Sequence, residues 1–267
     1  MLPFKSFIVE STLSDEEERQ VSLVYNTYLK FFNPTVIGNN DPKELYAKRL
    51  QQDGTMILGS IKYYDEVKRK ESKAYVSVNF DESLGDADYD RKTDTISLNY
   101  QKYSALPNNT KRNKIVHELF HAKNYKKPTE AYLKATAGNK VGSKRDYYTA
   151  QNEFPVQIAA ILHEIDLQQK ELYRRSKSGS GRTFWKSRRM LLLKSIANLI
   201  NSTKISEVVV PQFLSDYNGF INTLYRNKSN PAYQKYFKEF ISKLKQLYTN
   251  IQRKKLDDSS SESIIDT

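Results

Sequence analysis

Three histidines occur in 267 residues, and two of them, His117 and His121, stand four apart with Glu118 beside the first. On a helix, positions i and i+4 share a face, so two imidazoles at that spacing can reach one ion at about 2 Å. Glu118 is turned from His117 by about 100°, which misses the ion but can reach a water held there. Zinc lowers the pKa of such a water towards neutrality, and Glu118 is the group placed to take its proton. Ile115, Val116, Leu119, Phe120 and Ala122 surround the pair with uncharged groups, as on an embedded helix, and Lys123 is the one flank that does not fit. The chain has no cysteine, which excludes disulfides, thiolate zinc sites, iron–sulfur clusters and cysteine nucleophiles. A catalytic metal therefore needs a third ligand from Asp, Glu or His, with one position left open for water. Glu153, Asp146, His163 and Glu164 are the candidates. On a straight helix His163 lies about 80° and about 15 Å from Glu153, so it reads as a surface or packing histidine.

Other segments must hold these groups in place. Ser14 and Glu17 form an S-x-x-E capping box, and Val21, Val24, Tyr25, Tyr28, Leu29 and Phe32 then recur on one helical face up to Asn33-Pro34. Thr55–Tyr64, Ala74–Phe80 and Thr95–Tyr100 are short, rich in Ile, Val and Tyr, and bounded by polar stretches, which predicts a small antiparallel or mixed sheet. From about Asn109 the chain is mostly helical. One helix carries the histidine pair to about Tyr125, and a loop with Pro128, Gly138 and Gly142 follows. A second long helix starts near Glu153-Phe154-Pro155 and runs to about Arg175. Arg174–Arg182 reads as a flexible junction, Asp257–Thr267 as a disordered acidic tail, and Asp81, Asp86, Asp88 and Asp90 as a solvated loop that lacks EF-hand spacing. The fold class is α+β: a small sheet with the active-site helices, followed by a helical C-terminal lobe. Residues 14–175 form the expected catalytic domain and 183–255 a basic helical domain, between a segment 1–13 and a tail 256–267.

The motif His117-Glu118-Leu119-Phe120-His121, followed by YYTAQNEFPVQIAA from Tyr147 to Ala160, resembles the gluzincin class of zinc metallopeptidases. The likeness is to phage and mobile-element members and spans roughly Thr93 to Glu164, about a quarter of the chain. It implies a zincin-like sheet, a Zn2+ cofactor, a protein or peptide substrate, and Glu153 as the third ligand. Pro155 and Gln157 depart from the pattern, since many relatives carry an acid where Gln157 stands. The bland reading of Glu153 is an acid favoured by the helix N-terminus. The resemblance also implies that Ile96, Ser97, Leu98 and Asn99 form a sheet edge that pairs with an extended substrate. Tyr148, or its neighbour Tyr147, could donate to the oxyanion of the tetrahedral intermediate.

Charge adds a separate theme. The net charge is +12, and residues 161–256 alone carry 19 basic and 6 acidic side chains. Such a lobe suits DNA or an acidic partner, or is simply a solvated helical face. Arg174, Arg175, Lys177, Arg182, Lys186, Arg188 and Arg189, with Phe184 and Trp185, resemble a phosphate-contacting patch with stacking groups. The first ten residues, MLPFKSFIVE, resemble a capsid-targeting peptide of large tailed phages through Phe4, Phe7, Ile8 and Glu10, with a cut expected between Glu10 and Ser11. That implies the capsid interior of a virion; the alternative is host cytoplasm. With a mean hydropathy of -0.71 and no signal-length apolar run, neither a membrane partner nor a signal peptide is expected. A non-catalytic virion or DNA-associated binding protein with a structural or relict metal site is the rival expectation.

Overall fold

Ser14 starts the order. In the computed structural model its hydroxyl accepts from the Glu17 backbone N–H while the Glu17 carboxylate accepts from the Ser14 N–H at 2.7 Å. The capping box launches helix α1 (Asp15–Phe32), which Asn33 ends ahead of Pro34. The structure describes residues 12–65, 68–80, 85–124, 153–177 and 181–262, with the backbone alone at 232 and 253–262. The described residues from Leu13 to Asn124 make one compact unit and those from Glu153 onward make another.

The first unit is a mixed four-stranded sheet with helices. Short helices α2 (Pro34–Ile37) and α3 (Pro42–Leu45) lead to strands β1 (Met56–Asp65), β2 (Lys70–Asn79), β3 (Ala87–Asp90) and β4 (Thr95–Asn99). The order is β1-β2-β4-β3, with β2 and β4 parallel and the outer pairs antiparallel. Ala74, Val76, Val78, Ile96 and Leu98 are fully buried, whereas Tyr75 is exposed, as the period-two alternation requires. Helix α1 buries Val21, Val24, Tyr28 and Phe32 and packs on β1. The approach is close: a Cβ on Gly59, at the bulge of β1, would stand 3.2 Å from the Val24 side chain. A short helix α4 (Tyr100–Ser104), capped by the Asn99 side chain, leads into α5 (Asn108–Asn124), the helix of the histidine pair.

Two expectations fail here for one reason. The acidic stretch read as a solvated loop contains β3, which pairs Asp88 with Ser97 and Tyr89 with Ile96. Strand β4 is therefore interior, bonded to β2 on one side and β3 on the other, and among the described residues the sheet edges are β1 and β3. Ile96, Leu98 and Asn99 are buried, and the Asn99 N–H already donates to the Asp86 carbonyl. A strand whose backbone groups are spent on both sides cannot add a substrate strand, so residues 96–99 lose the role given to them. Alternating acids hid β3, because Asp is depleted in strands. Burial, with Asp90 close by, pushes the Asp88 carboxyl above its ordinary range.

The second unit is helical: α6 (Glu153–Lys177), α7 (Arg182–Asn201), α8 (Asn218–Arg226) and α9 (Pro231–Glu262), with 3-10 segments Ile205–Glu207 and Gln212–Tyr217 between α7 and α8. Its core joins Ile158, Ile161 and Ile165 of α6, Leu193, Ile196 and Leu199 of α7, and Phe240, Leu244 and Leu247 of α9. The predicted stripe on the last helix is the buried face. The domain reading that ended at 175 differs from the compact units, which group α6 with the helices after it. Two flexible readings give way in part, residues 178–180 and 263–267 lying outside the described residues. Arg174–Lys177 complete α6, and α9 continues to Glu262 through an acidic stretch that holds no Gly or Pro to stop it. Among the described residues no helix is long and apolar enough to cross a membrane.

Candidate metal centre

Helix α5 is fixed at both ends before it offers any chemistry. At its start, the Tyr25 hydroxyl donates to the Asn108 carbonyl at 2.9 Å and the Tyr103 hydroxyl to the Lys111 carbonyl at 2.6 Å. Burial raises the Tyr103 hydroxyl well above its ordinary range, which keeps it protonated as a donor. Arg112 pairs with Glu18 of α1, and Lys114 with Asp86 at 3.1 Å. In the middle, Ile115, Val116, Leu119, Phe120 and Ala122 are all buried. Near its end lies the residue that looked misplaced in sequence. Lys123 is 5% exposed, and its ammonium donates to both oxygens of Glu17, at 2.8 and 2.9 Å. One carboxylate thus caps α1 and neutralises a cation of α5. The capping acid and the odd lysine are each legible in the sequence, but their meeting across 106 residues is not.

On this helix His117 and Glu118 are buried and His121 is half-buried. The two Nε2 atoms face each other at 3.2 Å, with ring planes at 78°. Two imidazole nitrogens on one tetrahedral zinc stand about 3.3 Å apart, given bonds of about 2.0–2.1 Å. The pair therefore already has the spacing that one ion requires. Glu118 is 7% exposed, and burial raises the worth of a charge there.

Glu153 opens α6. Pro155 stands in the first turn, where its missing N–H costs nothing. Phe154 anchors this end, stacked on Tyr236 with centroids 4.3 Å apart and flanked by Phe220 and Tyr233. Among the described residues, His117, His121 and Glu153 form a group that could hold a metal ion: each offers one ligand atom, and these atoms lie within 4.8 Å of one another. Two imidazoles and a carboxylate are a donor set that suits zinc. His163 and Glu164 are buried on α6 and lie outside this group. Glu164 instead accepts from the Gln168 side chain at 3.2 Å. Asp146, Tyr147, Tyr148 and the segment Met1–Glu10 fall outside the described residues. No family model matches the chain, and no curated protein or solved structure matches it.

Proposed function

We propose that this chain is a zinc-dependent metallopeptidase, a gluzincin-like endopeptidase in which His117, His121 and Glu153 hold the metal. The observation that carries the reading is the convergence of those three ligand atoms within 4.8 Å, with the Glu118 carboxylate buried next to the first of them. Bound zinc supplies a Lewis acid that polarises the scissile carbonyl and acidifies water. Glu118 takes the proton from the attacking water and returns it to the leaving amine, so one carboxylate serves as base and then acid. Tyr148 keeps its proposed role as oxyanion donor on the strength of the family resemblance alone. The likeness of Met1–Glu10 to a capsid-targeting peptide supports a phage protein carried inside the virion.

The test is a digest. Full-length protein loaded with zinc should cleave an unfolded protein such as reduced casein. A chelator should stop the cleavage, and added zinc should restore it. Stoichiometric zinc without chelator-sensitive cleavage would instead favour the virion or DNA-associated binding protein with a structural metal.

A further inference from the structure

The strongest unused feature is on α7, whose first two turns read Arg182-Thr-Phe-Trp-Lys-Ser-Arg-Arg189. Two adjacent aromatic residues among four cations are a poor choice for a solvated helix face. Their surroundings show that the rings are not core residues. Phe184 is 51% exposed and Trp185 half-buried, and the two rings meet edge to face at 4.9 Å. Both line a cavity of about 400 Å³ with Arg188, Leu172, Leu191 and Phe213. That size falls in the range of roughly 300–1,000 Å³ that admits small organic groups. The chain enters α7 through Gly181, at a φ of 92°, and a Cβ there would stand 3.4 Å from the indole nitrogen. Glycine thus allows both the turn and the close passage of backbone past Trp185.

The charges beside the rings are arranged for an anion. The Arg188 guanidinium lies 5.2 Å above the Phe184 ring and that of Arg175 lies 4.7 Å above Trp185. Glu171 accepts hydrogen bonds from Arg174 and Arg175, and these hold its carboxyl down at about 2. It therefore remains an anion and engages those two arginines. Lys186 and Arg188, exposed on α7, have no carboxylate partner among the described residues. Residues 161–256, which contain this cavity, carry a net charge of +13.

We propose that Phe184, Trp185 and Arg188 form a binding groove for single-stranded nucleic acid, with a base stacked in the aromatic cavity and the backbone phosphates on Lys186 and Arg188. Three ligand classes compete for such a surface. An acidic protein would meet the cations but has few flat rings for the cavity. Duplex nucleic acid has the phosphates, but its base faces are stacked on one another. A single strand presents a phosphate and an open base face at every nucleotide, which matches cations interleaved with rings.

Trp185 is the only tryptophan in the chain, so its emission reports the cavity directly. Full-length protein is titrated with a labelled oligothymidylate, with the matching duplex and with polyglutamate. The expected result is quenching of Trp185 by the single strand, with affinity that falls as salt is raised and binding at least about tenfold weaker to the other two probes. Phe184→Ala and Arg188→Ala, both at exposed positions, should each weaken the single strand by about tenfold. Binding without quenching, equal binding of duplex or polyglutamate, no binding, or a loss below twofold in both variants would each overturn the proposal. The readout needs neither zinc nor peptidase activity, so its failure is distinct from failure of the metallopeptidase reading.

Discussion

Glu118→Gln should lower peptide hydrolysis by about 10²- to 10⁴-fold, the usual worth of a positioned general base, and leave zinc content unchanged. The two halves of that result follow from the helix. Glu118 is turned about 100° from His117 and is not among the three proposed ligands, so the amide should leave them undisturbed. The amide matches the carboxylate in shape and cannot accept a proton at neutral pH. Because Glu118 is buried, a near-isosteric change also avoids opening a cavity. Activity should be read as chelator-sensitive cleavage per zinc bound. A variant with normal zinc and normal turnover removes Glu118 as the base. A variant that loses zinc makes the carboxylate a ligand or its support.

Lys123→Met should destabilise the protein by about 3–5 kcal/mol in urea unfolding followed by circular dichroism. Glu17 and Lys123 are 5% exposed each, so the change strands a carboxylate away from water rather than cutting a surface ion pair. The compensating change is specific. Glutamine can take the third position of a capping box, so Glu17→Gln added to Lys123→Met keeps the α1 cap while removing the stranded charge. The double variant should recover more than half of the loss. A single-variant cost under about 1 kcal/mol, the range of exposed pairs, would show that the pair is solvated. Lys123 lies two residues beyond His121, so the same pair fixes the end of the helix that carries the histidine pair.

Local signals were the legible ones. The S-x-x-E pattern placed α1 to the residue, and i, i+4 spacing placed His117 and His121 on one face. Short runs rich in Ile, Val and Tyr place three of the four described strands. What failed was non-local. Ala87–Asp90 becomes a strand because β4 offers a free side, and no periodicity in four residues with two acids announces that. Once β3 is present, β4 is no longer an edge, so one missed element also removed the substrate role of Ile96–Asn99. Lys123 looked wrong on an apolar helix because its partner sits 106 residues upstream. Composition after Leu256 suggests disorder, yet helix α9 continues as far as Glu262. Length and charge give a class of behaviour, whereas chain continuity without a breaker gives the helix.

The proposal stands or falls on a single metal shared by His117, His121 and Glu153. It is tested by titrating the full-length protein with zinc against a competing chelator, alongside Glu153→Ala. The expected result is one tight zinc per chain, with affinity at least about 100-fold weaker in the variant, since losing a ligand costs no less than losing a group that supports one. Equal zinc affinity in both proteins, or no stoichiometric zinc in either, would contradict it.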